Sequence, residues 1–242
     1  MPLIADIIAN YFEAGYRFRK FEPESSFGGQ GVKAVFLIHG WGVRATSMEL
    51  LAKVLAGTGY TVFNYDYPSS RQSIEEHAMV FLDLYRQTLR REHIRRKVCF
   101  LTHSMGGILL RAAMAKMSET ECRNIEAVVM LGPPNRGSIL AHLGKIDLVR
   151  TFNSSLADMV TDADSYVRNI PTPPFLPPVG IIAGRFDGKV ALGSTPLPEG
   201  QMCHRTIVDC THPGLRIPRN TFPTILHFFR KKTFVDPAAD FP

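Results

Sequence analysis

Short apolar runs alternate along this chain with longer stretches in which apolar positions recur every three or four residues. Residues 32–38 (VKAVFLI), 61–65, 98–101, 127–131 (AVVML), 179–183 and 206–208 predict strands. The first is almost continuously apolar, as a strand covered on both faces requires. Between the strands, residues 48–55, 74–91, 106–117 and 222–229 predict helices. Across 74–91, Ile74, Ala78, Phe81, Leu82, Tyr85 and Leu89 fall at helical spacing, and Ser73 stands where it can cap the first turn. Strands alternating with helices predict an α/β fold, a mostly parallel sheet with helices on both faces.

Two stretches depart from this rhythm. Residues 132–178 separate two strands, include a helical pattern over 139–160, and end in the proline-dense run PTPPFLPP, which is stiff and extended. The segment is too small for its own core and reads as a small cap inserted over one end of the sheet, within a single domain spanning 1–242. Its positions Leu140, Leu143, Val149 and Phe152 fall near one helical face and are expected to line an apolar pocket. Near the N-terminus, Leu3, Ile4, Ile7, Ile8, Tyr11 and Phe12 form another helical stripe. It is expected to dock on the domain; the alternative is a helix lying on a membrane surface.

Composition narrows the classes. Of 242 residues, 45% are hydrophobic and 21% charged, which excludes disorder along the whole chain. No apolar run approaches the ~20 residues of a spanning helix. Asp6 interrupts the N-terminal apolar stretch, so no secretory signal is expected. The net charge of +6 is spread over small clusters: Arg90 and Arg91; Arg95, Arg96 and Lys97; Arg230, Lys231 and Lys232. Each is placed at a predicted helix C-terminus, where cations complement the helix dipole. A nucleic-acid role would need a basic stripe interleaved with stacking aromatics, which the sequence lacks. The four cysteines show no metal-ligand spacing. Cys203 and Cys210 bracket a strand whose ends lie ~23 Å apart, too far for a disulfide. A reducing compartment, the cytoplasm, is expected.

The chemistry concentrates in residues 98–110, VCFLTHSMGGILL. A strand runs into Thr102, His103, Ser104, Met105 and Gly106, and then directly into a helix. A serine at that junction sits on a tight turn with its hydroxyl above the sheet, and the Met105 amide lies at the helix N-terminus, where negative charge is favoured. Here the chain resembles the α/β-hydrolase superfamily, and within it the serine esterases and lipases. The family pattern around the nucleophile is G-x-S-x-G, and Thr102 stands in place of its first glycine. The run FLIHGWG at 36–42 resembles the family's H-G oxyanion loop, which makes the Trp41 amide the second oxyanion donor beside Met105. His39 and His103 read as structural residues. Residues 132–138, GPPNRGS, resemble the loop that opens the insertion.

The resemblance extends to the acid and base. Residues 184–190, GRFDGKV, look like the family's loop carrying the acid just past a strand, which points to Asp187, with Asp209 as the second candidate. The base is expected last, on the loop after the final strand, at His212; His204 falls at the start of that strand, on the opposite sheet edge. The order Ser104, Asp187, His212 is the family order. The resemblance implies hydrolysis of a carboxylic ester or thioester through an acyl-enzyme, with a small-molecule acyl substrate, no cofactor, no metal and no nucleic-acid partner. An acyltransferase would use the same residues. A non-catalytic binding module would be missing one of them.

Overall fold

The computed structural model describes residues 15–23, 33–138 and 154–234. The stripe from Leu3 to Phe12 and the cap positions Leu140, Leu143, Val149 and Phe152 lie outside the described residues. In chain order the elements are β1 (Arg17–Phe21), β2 (Lys33–Ile38), α1 (Glu49–Ala56, entered through a 3-10 turn at Ala45–Met48), β3 (Tyr60–Asp66), α2 (Ile74–Arg91), β4 (Val98–His103), α3 (Met105–Met114), α4 (Glu119–Arg123), β5 (Ile125–Leu131), α5 (Ser154–Ala157), α6 (Tyr166–Asn169), β6 (Val179–Gly184), β7 (His204–Val208) and α7 (Pro218–Lys231). Among the described residues the strands form one seven-stranded sheet in the order β1-β3-β2-β4-β5-β6-β7. Every neighbouring pair is parallel except β1 with β3.

The apolar runs become strands because both faces of the sheet are covered. On one face Phe36, Phe63 and Phe100 pack with Phe81 and Tyr85 of α2 and Ile108 of α3. On the other, Val35, Leu37, Leu101 and Val129 pack with Leu51 and Leu55 of α1 and Ile225 and Phe228 of α7. Each such side chain contributes about 1.5–3 kcal/mol by leaving water. All six predicted strands are present. β4 runs past its apolar stretch because Thr102 and His103 still pair with Met130 and Leu131 of β5. β1 is an unpredicted strand: three of its five residues, Arg17, Arg19 and Lys20, are basic, while Phe18, its ring 5.3 Å from that of Phe36, and Phe21 pack against the core. Basic side chains on a sheet edge discourage further pairing.

Helix boundaries follow local chemistry. α2 starts at a capping box in which Ser73 Oγ accepts from the Glu76 amide at 3.2 Å and the Glu76 carboxylate accepts from the Ser73 amide at 2.9 Å. It ends when His93 adopts φ 51°, with the His93 amide donating to the Arg90 carbonyl and the Ile94 amide to the Leu89 carbonyl. Arg95, Arg96 and Lys97 therefore lie beyond the helix, and the dipole reading fails for this cluster. They border a cleft with Lys33 and Lys232 at the edge of the sheet where the parallel strands begin. Arg230 and Lys231 do occupy the last turn of α7. No helix among the described residues is long and apolar enough to cross a membrane.

Candidate active site

β4 is flanked by parallel partners on both sides, so the chain has to leave the sheet sharply after His103. It turns on Ser104, whose backbone sits at φ 54°, ψ −127°. Such a conformation costs a non-glycine residue about 1–3 kcal/mol. It is held by the Ser104 amide donating to the Leu131 carbonyl at 2.8 Å and by the Gly107 amide donating to the Ser104 carbonyl at 2.9 Å. Gly106 makes the turn compatible with its surroundings: a Cβ there would lie 2.4 Å from the Ile38 carbonyl oxygen and 2.6 Å from that of His39. The N-terminus of α3 thus rests against the end of β2. Thr102, in place of the family's glycine, is a fully buried strand residue two positions before the turn, where a β-branched side chain is at home.

The loop after β2 is fixed from β3 and the segment beyond it. The Asp66 carboxylate accepts from Arg44 at 3.1 and 2.8 Å and from the Ala45 amide at 3.0 Å. Tyr67 donates its hydroxyl hydrogen to the His39 carbonyl at 2.9 Å, and the Gly42 amide donates to Ser69 Oγ at 3.0 Å. His39 itself is fully buried, with Nδ1 donating to the Gly40 carbonyl at 2.8 Å. Burial lowers its pKa, which keeps the ring neutral and structural. These anchors set Trp41 beside Ser104 on one cleft.

On the far side, His212 Nδ1 lies 2.6 Å from Asp187 Oδ2, with both side chains almost fully buried. The other carboxylate oxygen accepts from the amides of Lys189 at 2.8 Å and Val190 at 2.9 Å. Burial pushes the Asp187 carboxyl up, but the hydrogen bond and charge of His212 and the two amides outweigh it, leaving its pKa below the ordinary 3.8. Behind the pair, Gly132 has φ 53°; a Cβ there would stand 3.1 Å from Asp187 Oδ2 and 3.2 Å from His212 Nδ1. Asp209 is not part of this arrangement. Its side chain is 70% exposed and ion-paired with Arg185 at 2.6 Å. His204 is exposed at the start of β7.

Two residues carry more of the site than the sequence indicated. His103 is buried and donates from Nε2 to the backbone carbonyl of His212 at 3.1 Å, so it anchors the loop that presents the imidazole. Burial first, then repulsion by His212 and Arg216, drives its pKa well below 6.5 and keeps it neutral. Asp66, through Arg44 and Ala45, does the same for the Trp41 loop. The signal for both is a long-range contact to backbone, which no local pattern encodes.

The cleft, of about 650 Å³ and open to solvent, is lined by Gly40, Trp41, Val43, Ser104, Pro134, Leu156, Met159, Val190 and His212, with Lys189 and Arg216. Ser104, Trp41 and His212 are thus brought to one surface, and Met105 begins the helix directly behind the serine, where backbone amides lack intrahelical partners. The elements that deliver Trp41, Ser104, Asp187 and His212 all end at the carboxyl edge of the parallel strands, where α/β sheets bind ligands. Among the described residues no group of three or more His, Cys, Asp or Glu side chains is placed to hold a metal ion.

The chain resembles known proteins at two levels. The mature form of a lipase from Bacillus licheniformis superimposes with a TM-score of 0.67 at 17% identity, covering 87% of this chain and 98% of that one. Lipase B of Aspergillus fumigatus does so with a TM-score of 0.71 at 15% identity, over 91% of this chain and 58% of that one. An esterase from a Rhodococcus species aligns with a TM-score of 0.58 at 12% identity, over 91% and 99% of the two chains. At such identities the likeness is one of fold. No curated protein sequence matches the chain. Residues 35–235, from the first buried strand to beyond the closing helix, match the model of a single family. This chain belongs to the alpha/beta hydrolase family.

Proposed function

We propose that the protein is a serine hydrolase that cleaves carboxylic esters or thioesters through an acyl-enzyme on Ser104. Membership of the alpha/beta hydrolase family supports a hydrolase. The serine mechanism rests chiefly on the 2.6 Å contact between His212 Nδ1 and Asp187, which leaves Nε2 of a neutral His212 as the proton acceptor in a cleft shared with Ser104. His212 takes the Ser104 proton as Oγ attacks the acyl carbonyl. Asp187 holds the tautomer and stabilises the imidazolium. The amides of Trp41 and Met105 receive the oxyanion. His212 returns the proton to the leaving alcohol or thiol, and water then releases the acid by the same route in reverse.

The walls contributed by Trp41, Val43, Leu156, Met159 and Val190 favour an apolar acyl chain. Leu156 and Met159 belong to residues 132–178, which we read as a small cap over the serine within a single domain. Each methylene buried is worth about 0.8 kcal/mol, roughly fourfold in kcat/KM until the pocket is full. A series of 4-nitrophenyl esters from acetyl to decanoyl tests this. Rates rise with length to a maximum, and Ser104→Ala abolishes them; a residual rate in Ser104→Ala equal to the parent's would remove the serine mechanism.

A further inference from the structure

Among the described residues, the lining of the Ser104 cleft holds two cationic side chains, Lys189 and Arg216, and no carboxylate. Asp187, the acid next to it, has one oxygen on His212 and the other on two backbone amides. Arg216 ends the 3-10 turn Pro213–Arg216 that directly follows His212. Its side chain is half-buried, and its Nε is a buried donor with no hydrogen-bond partner. Among the described residues the Arg216 side chain makes neither a hydrogen bond nor an ion pair. Burial alone lowers its pKa, with no carboxylate offsetting the shift, yet a guanidinium stays protonated at neutral pH. Its charge also disfavours protonation of His39 and His103, which places it close to the cleft floor.

A buried N–H donor without an acceptor is costly, and proteins ordinarily pair one. Among the described residues none accepts a hydrogen bond from Arg216 Nε, which leaves this donor available to an acceptor carried by a ligand. In this partly desolvated setting an anion is held more strongly than at an open surface. Lys189, exposed at the rim, adds a second charge of the same sign.

We infer that Arg216 is a specificity-determining residue that selects esters carrying an additional anionic group, a carboxylate or a phosphate, inside the catalytic cleft. The inference rests on the ester-hydrolase reading above. It refines the substrate from an apolar acyl ester to one with an apolar segment and a compact anion, held by the planar fork of Arg216 as the ester reaches Ser104.

The test uses matched substrate pairs on the intact protein. The 4-nitrophenyl monoester of adipic acid is compared with 4-nitrophenyl hexanoate, which puts a carboxylate on the acyl part. The butanoyl ester of 3-hydroxypropyl phosphate is compared with propyl butanoate, which puts a phosphate on the alcohol part. In the parent protein the anionic member of at least one pair has a kcat/KM about tenfold higher or more, and the favoured pair identifies the anion. In Arg216→Gln that ratio falls to near one, and Arg216→Lys restores part of it. Neutral members cleaved as well as or better than both anionic ones, or a ratio unchanged in Arg216→Gln, overturns the inference. If Arg216→Gln does not fold, competitive inhibition of the parent protein by adipic acid monoamide against hexanamide decides: a clear carboxylate advantage supports the inference and equal inhibition overturns it. If no ester is cleaved and Ser104 takes up no fluorophosphonate, the ester-hydrolase reading falls as well. Neutral esters cleaved without any anionic advantage overturn the role of Arg216 alone.

Discussion

Asp187 engages both carboxylate oxygens, one on His212 and one on the amides of Lys189 and Val190. Asp187→Asn keeps the shape and loses the charge that fixes the imidazole. In a comparable triad this change costs about 10⁴ in kcat, and the same loss is expected here while the protein stays folded. Asp209→Asn, on a solvent-exposed pair with Arg185, keeps most of the activity. Kinetics of the two variants side by side check the assignment, and the reverse pattern would move the acid to Asp209. Gly132→Ala would press a methyl group to within about 3 Å of both His212 and Asp187 and force a left-handed backbone on alanine; kcat is expected to fall at least tenfold with the circular dichroism spectrum retained. The gathering of Ser104, Asp187, His212 and Trp41 at one sheet edge was legible because each follows an apolar run by a few residues. His103 and Asp66 were not, because their partners are the backbone of His212, 109 positions away, and of Ala45, 21 positions away.

The helices were legible where capping and periodicity agree. For α2 the predicted bounds coincide with the observed ones, since Ser73 and Glu76 close the capping box at one end. Ser73→Ala should cost about 1 kcal/mol, read as a lower urea midpoint at unchanged slope. β1 was illegible because three of its five residues are basic and only its pairing with β3 makes it a strand. A side-chain ion pair ties α2 to α4. Arg86 bonds both oxygens of Glu121 at 2.6 and 3.0 Å, and that bond, against the opposing effect of burial and with help from Ser118, brings the Glu121 pKa from 4.5 down to about 2. The unfolded chain binds the proton more readily, so the stabilisation is complete above pH 4.5 and fades as pH falls toward 2. The pair is partly exposed, so Glu121→Gln is expected to cost only about 1 kcal/mol at pH 7. Its difference from the parent should vanish in acid; a cost independent of pH between 7 and 3 would contradict an ionic origin.

Among the described residues, three buried histidines are held neutral: His39 and His103 under the cleft, and His77 on α2, whose pKa burial lowers from 6.5 to about 4. Unfolding exposes them, and each then takes up a proton near its ordinary value. Stability is therefore complete above pH 6.5 and declines below it, by up to about 1.4 kcal/mol per pH unit for each histidine. Urea titrations at pH 7.5 and 5.5, a window above the carboxylates, should show a lower midpoint at 5.5; equal midpoints would contradict the buried neutral state. The doubly covered sheet was legible at this scale from its continuous apolar strands, whereas the gathering of Arg95, Arg96 and Lys97 with Lys33 and Lys232 depended on where α2 stops and on how strands distant in sequence align. Every proposed role in the cleft depends on Ser104 being the acylated residue. Treatment of the folded protein with a fluorophosphonate, followed by peptide mass mapping, measures this most directly. The account predicts a single stoichiometric adduct on Ser104, absent in Ser104→Ala; an adduct on another residue, or none on the active protein, would contradict it.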